Sequence, residues 1–240
     1  MQNQLAMEPR KKTQSMIIDP EYKNKLWTCS DGSIHPGYSV QLHKKIIEKS
    51  NELLEFRDKT FSTENPDYLK YYGTVVRYFA KNQQFFESEN IINPKDASFS
   101  KGLLILGSHG VGKTFLFHVL HQLSDEIQKY GNAFSFTSTL EVVELYNQFG
   151  SKGINSFLRG QRYFDDLGCE EQGSHFGKSE IFKLLIHRRH DLFTKQGVKT
   201  FATSNLSRDE LSQRYGPEIE SRLHEMFNII YADGPDRRKT

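Results

Sequence analysis

Hydrophobic and polar positions divide the chain into two textures. Between Ser39 and Phe56, Leu42, Ile46, Leu53 and Leu54 recur at roughly helical spacing among Lys44, Lys45, Glu48, Lys49, Glu52 and Glu55, which predicts an amphipathic helix. A second helix is expected over residues 67–87, with Leu69, Tyr72, Val75, Val76, Phe79 and Phe86 as its stripe, Asp67 near its start after Pro66 and a weak point at Gly73. Core packing is the plain account of that stripe; a platform for stacked bases or a groove for a partner protein is the functional one. Ahead of both, residues 1–37 are polar and broken by Pro9, Pro20, Gly32 and Pro36, so an irregular arm is expected.

From about residue 97 short apolar runs alternate with longer amphipathic stretches, as in a parallel α/β sheet. The runs predict strands at 102–106, 133–137, 162–165, 199–203 and 228–232, and helices over 113–129, 139–149, 178–196 and 208–227. The fold class is therefore α/β, a five-stranded parallel sheet flanked by helices and preceded by a small, mainly helical N-terminal region. The expected division is residues 1–97 and 98–240. No internal repeat or low-complexity segment interrupts it.

Composition narrows the partners only a little. With 32 Lys and Arg against 30 Asp and Glu, the chain is too nearly neutral for a polybasic binder, so any nucleic-acid site has to be a local patch. Its two cysteines, Cys29 and Cys169, stand in no ligand spacing, which argues against a disulfide framework and against zinc. No window approaches the roughly 18 apolar residues of a membrane span, and the polar start has no signal-peptide core. A cytoplasmic protein without a membrane partner is expected.

Chemistry concentrates after the first strand. Gly107-Ser108-His109-Gly110-Val111-Gly112-Lys113-Thr114 fits G-x-x-x-x-G-K-[ST] between an apolar strand and a helix, the setting in which such a loop cradles phosphate. Backbone amides and the helix N-terminus face the negative charge, Lys113 reaches the terminal phosphates, and Thr114 holds magnesium. ATP and Mg2+ are the implied cofactors, with residues 107–114 and Phe115 as the binding set. Tyr163-Phe164-Asp165-Asp166 supplies a second strand with an acidic end: Asp165 for the metal, Asp166 as general base. Asn205, after the strand Thr200–Thr203, is placed to sense the γ-phosphate, and Arg222 to reach a neighbouring subunit's nucleotide. The plain alternatives are a surface turn for the two aspartates, a turn cap for Asn205 and a solvated or ion-paired surface group for Arg222.

Taken together and in order, the loop Gly107–Thr114, the run Tyr163–Gly168, the run Phe201–Ser207 and the run Tyr215–Phe227 resemble the DnaC and IstB branch of the AAA+ ATPases. That branch comprises bacterial and phage helicase loaders and transposition helpers, and the resemblance spans roughly residues 98–238. It implies an AAA+ P-loop core, with Gly107, Gly110, Gly112, Lys113 and Thr114 at the Walker A positions, Asp165 and Asp166 at Walker B, Asn205 as sensor 1 and Arg222 as arginine finger. Arg189 sits where the branch often has an Arg-Tyr pair and is followed here by His190. The resemblance also implies no C-terminal helical lid, and Gly234-Pro235-Asp236-Arg237-Arg238 looks like the short tail of such proteins.

The stretch Gln148–Arg162 offers Lys152, Arg159 and Arg162 interleaved with Phe149 and Phe157, a set able to track a phosphate backbone and stack on a base. The alternative is that the phenylalanines are core and the basic groups a solvated face. The tail from Arg237 to Lys239 is a second basic candidate. The leading expectation is an ATPase that assembles through Arg222 into a ring or spiral, binds single-stranded DNA and delivers a replicative helicase held by residues 1–97. Its rivals are a transposition helper on duplex DNA and a nucleotide-switched interaction protein with little turnover.

Overall fold

Five parallel strands in the order β2-β3-β4-β1-β5 organise the computed structural model, which describes residues 38–57, 59–62, 65–169 and 181–238. The strands are β1 (Gly102–Leu106), β2 (Ser135–Ser138), β3 (Arg162–Asp165), β4 (Thr200–Ser204) and β5 (Phe227–Tyr231). The helices are α1 (Tyr38–Leu54), α2 (Pro66–Phe79), α3 (Lys113–Gln122), α4 (Ser124–Gln128), α5 (Thr139–Phe149), α6 (Ile181–Gln196), α7 (Arg208–Tyr215) and α8 (Pro217–Met226). The N-terminal arm and residues 178–180 lie outside the described residues.

Strand β1 is apolar throughout because both its faces are covered, as a central parallel strand requires. Its side chains alternate between two cores. Leu103 and Ile105 join Tyr163, Phe201 and Ile230 in a cluster completed by Leu42 and Ile46 of α1, Tyr72, Val76 and Phe79 of α2, and Phe117 of α3. Leu104 and Leu106 join Phe164, Ala202 and Ile229 on the other face, under α5, α6, α7 and α8. The stripe on α2 is thus core, shared with the sheet. Its aromatic rings pack on those of the strands: Phe79 lies 5.5 Å from Phe201, and Phe117 stacks on Tyr163 at 4.2 Å.

Several expected boundaries move. The second helix ends at Phe79, not at residue 87, because Lys81 turns to φ 50° and the chain closes with Asn82 N–H on the Arg77 carbonyl and Lys81 N–H on that of Tyr78. Phe85 and Phe86 prolonged the apolar pattern into a separate 3₁₀ turn, Gln83–Glu87, while Gly73 continues the helix unbroken. The stretch 113–129 divides at Leu123 into α3 and α4. The stretch 208–227 divides at Gly216, whose φ of 88° a side chain resists, and Pro217 then starts α8 where its missing N–H costs nothing. Finally, β2 pairs with β3 from Ser135 to Ser138, two residues later than the apolar run suggested at its start.

Candidate nucleotide site

The strand order places the carboxyl ends of β1, β3 and β4 side by side, the crevice where parallel sheets bind ligands. After β1 the chain turns sharply at Gly107, where a Cβ would stand 2.1 Å from the Ala232 carbonyl oxygen. The loop then delivers Lys113 to the first position of α3. Ser108 and His109 are exposed and Val111 is buried, its carbonyl accepting from the Tyr71 hydroxyl at 3.2 Å. Phe115 is partly buried, 6.1 Å from the Phe61 ring.

Lys113 is buried. Its Nζ donates to the carbonyls of Gly107 (2.7 Å) and Ser108 (2.8 Å) and to Asn205 Oδ1 (2.9 Å). Desolvation pushes its pKa down to about 8, against the pull of Asp166 and Asp165. Asn205, at the tip of β4, passes the link onward: its Nδ2 donates to Asp166 Oδ1 at 2.7 Å. Asp166 itself stands at φ 54°, a left-handed conformation costly for a residue with a side chain, with its N–H on Thr203 Oγ1 at 3.2 Å. Burial, then the neighbouring Asp165 charge, raise the pKa of Asp166, while Lys113, the Asn205 bond and His109 oppose the rise.

Asp165 Oδ1 accepts from Thr114 Oγ1 at 2.8 Å, from Thr203 Oγ1 at 2.8 Å and from the Tyr163 hydroxyl at 2.5 Å. A hydroxyl and a carboxylate side by side are the oxygen donors magnesium prefers, and a desolvated ammonium surrounded by carbonyls suits a phosphate, so the residues fit a magnesium nucleotide. Tyr163 and Thr203 escaped the motif reading. Strand alternation contained the clue, since Tyr163 and Asp165 are two residues apart and share a face. Burial, then the carboxylate, hold the Tyr163 phenol well above its ordinary pKa, so it stays a donor.

Arg222 lies on α8, away from this crevice's hydrogen-bond network. Its Nη2 donates to Glu218 Oε1 at 3.0 Å and its Nη1 to His190 Nδ1 at 2.9 Å, while His190 Nε2 meets Glu225 Oε2 at 2.7 Å. Arg189, at the position of the Arg-Tyr pair of the resembled branch, lies inside the protein. It is 1 % exposed and donates to Thr200 Oγ1 (2.9 Å) and to the carbonyls of Gly160 (2.9 Å), Lys199 (2.6 Å) and Phe157 (3.3 Å), so it staples β4 to the preceding segment and faces no neighbour.

The proposed DNA stretch is partly dismantled too. Phe157 is buried in the core and presents no ring to a base; Arg162, under which that ring lies at 5.4 Å, donates to Thr137 Oγ1 (2.7 Å) and the Ser156 carbonyl (3.1 Å). Lys152 and Arg159 remain exposed, as does Phe149. In the basic tail, Arg237 is engaged within the fold, its guanidinium 5.4 Å over the Phe61 ring and bonded to the Ser62 carbonyl.

No family model matches the chain. Replicative helicase loader DnaI of Bacillus subtilis is 30% identical to it over 150 residues, 57% of this chain and 45% of that protein. The chain thus aligns with less than half the length of this curated relative. Among solved structures, the DnaC helicase loader is 22% identical with a TM-score of 0.49, covering 72% of this chain and 94% of that one. A crystal structure of DnaI is 20% identical with a TM-score of 0.48, covering 72% and 88%. AMPPCP-bound DnaA from Aquifex aeolicus is 17% identical with a TM-score of 0.46, covering 74% and 53%. In its ordered motifs, in a phosphate-type loop set after the central strand of a five-stranded parallel sheet and in sequence over those 150 residues, the chain is thus similar to the DnaC-like helicase loaders.

Proposed function

We propose that the chain is an ATP-driven helicase loader. The observation that carries the nucleotide half is the bridge made by Asn205, which joins the phosphate-facing Lys113 to Asp166 across two strands. Lys113 exchanges its own loop carbonyls for phosphate oxygens, and the loop amides complete the cradle. Thr114 and Asp165 would hold magnesium, which when bound would supply neutralisation of the phosphate charge. Asp166 accepts the proton of the attacking water while Asn205 orients both, and the strained backbone fixes where that carboxylate stands.

The assembly half follows from Arg222. In a ring or spiral this arginine leaves Glu218 and His190 for the nucleotide of the next subunit, so that hydrolysis depends on assembly. Lys152 and Arg159, with the exposed ring of Phe149, hold single-stranded DNA; residues 1–97 engage a replicative helicase. Likeness to DnaI supports the loader reading, since that protein is a replicative helicase loader.

The test is a titration against labelled single-stranded and duplex DNA, each with an ATP analogue and with ADP, at two salt concentrations. Tighter binding of single strands with the ATP analogue is expected. A nucleotide-dependent preference for duplex would replace the loader with a transposition helper, and binding of neither would leave a protein-directed switch. Lys113→Ala anchors the experiment: it should abolish ATP binding, and normal affinity would refute the P-loop assignment.

A further inference from the structure

Arg222 rests against a histidine from α6, and the chemistry of that contact fixes a protonation state. A guanidinium only donates, so in the 2.9 Å pair with Arg222 Nη1 the His190 Nδ1 must be the acceptor. The ring proton therefore sits on Nε2, where it donates to Glu225 Oε2 at 2.7 Å. The neutral ring is held from both sides, and with 14% of its side chain exposed it has little room to turn away. Arg222 is itself satisfied incompletely: Nη2 reaches Glu218 Oε1 at 3.0 Å, while Nε is buried with no hydrogen-bond partner among the described residues. Glu218 does not depend on the arginine, since the same oxygen has His187 Nε2 at 3.9 Å. On α6, Arg188 is bonded to Asn155, Asp191 meets Lys195, and the charge of Lys183 reaches Glu218. The other elements packed on α6 bring Glu141 and Glu144 of α5 and Lys152 of the 3₁₀ segment Gly150–Leu158, all three exposed.

We propose that His190 is a positioning residue for Arg222: its neutral ring, oriented by Glu225, holds the guanidinium in cis, and a second ring proton releases it toward the neighbouring subunit's nucleotide. The proposal rests on the reading of Arg222 as an arginine acting in trans. Once protonated, Nδ1 is a donor facing a cation, so the hydrogen bond is lost and repulsion replaces it. Assembly then no longer has to break that contact, and a ring or spiral forms more readily as pH falls.

The test reads the protein concentration that gives half-maximal ATP hydrolysis by the full chain, with ATP saturating, at pH 6 and at pH 8. Histidine side chains commonly take up a proton over that interval. In wild type the half-maximal concentration should be about fivefold lower at pH 6, the worth of roughly one hydrogen bond. His190→Asn keeps an acceptor close to the Nδ1 position but does not titrate, so it should show the wild-type pH 8 value at both. His190→Phe keeps a ring and loses the acceptor, so it should show the lower value at both. A pH step of wild-type size in His190→Asn, or the wild-type pH 8 value in His190→Phe, would overturn the proposal. Arg222→Ala separates the two readings. Concentration-dependent hydrolysis retained in that variant would remove the trans arginine itself, whereas its loss alongside unaltered pH steps in both His190 variants would remove only the role of His190.

Discussion

Lys113 and Arg222 are two cations that the proposed mechanism aims at the same kind of phosphate, and the chain treats them in opposite ways. Lys113 is buried, its acceptors belong to its own loop and to β4, and its place is fixed before any ligand arrives. Arg222 is on an outer helix, held by an exposed glutamate and by a histidine that is itself held by another. One arrangement is a completed half-site; the other is a side chain parked in cis, where surface ion pairs are weak and easily exchanged. The difference teaches that preorganisation within the chain is concentrated at the phosphate loop, and it is at Arg222 that the proposed mechanism calls on a second copy.

The strongest way to break this contrast is Arg222→Ala. Dilute protein should bind nucleotide as before, while hydrolysis at high protein concentration should fall roughly 10³-fold, the scale of an arginine supplied in trans. Unchanged turnover at high concentration would make Arg222 an ordinary surface group. Asp166→Asn attacks the other side: ATP should still bind, but turnover should drop roughly 10²-fold, as for loss of a general base. Wild-type rates would move the base elsewhere.

Acidity sharpens the picture at Lys113. Its pKa of about 8 must rise as phosphates bind beside it, so the protonated form binds better. ATP affinity should therefore be flat below pH 8 and decline above it, by up to about tenfold per pH unit, with protons taken up on binding. Calorimetry in two buffers of different ionisation heat reads that uptake; zero uptake at pH 8 to 9 would contradict the desolvated lysine. The smallest effect is expected from Tyr163→Phe, which removes one of three donors to Asp165 Oδ1. The magnesium concentration needed for half-maximal nucleotide binding should shift about fivefold, the worth of roughly one neutral hydrogen bond.

The sequence and the structure agree best where a motif forces backbone geometry. Gly107, Lys113, Thr114 and the Asp165-Asp166 pair are legible because the phosphate loop needs those residues at that spacing after a buried strand, and the apolar run Leu103–Leu106 announces the strand. Agreement fails where a side chain's destination depends on distant carbonyls. Arg189 reads as one more charge on a helix, yet it lies inside the protein, where it donates to the carbonyls of Gly160 and Lys199. Phe157 reads as a ring among basic residues, and only the packing of α5 and α6 around its segment turns it inward. Asp236 returns to stand beside Gly110, and the two are far apart in the chain, a contact no local pattern encodes.

The left-handed backbone at Asp166 carries a consequence for how this protein tolerates change. Glycine adopts that conformation freely, and asparagine does so more readily than most residues, without a charge to desolvate. Selection for heat resistance alone should therefore enrich glycine or asparagine at position 166, and on the proposed mechanism the variants recovered would bind ATP without hydrolysing it. With Asp166 as the proposed base, stability and turnover pull this one residue in opposite directions, so a screen blind to catalysis would improve the fold by disarming it.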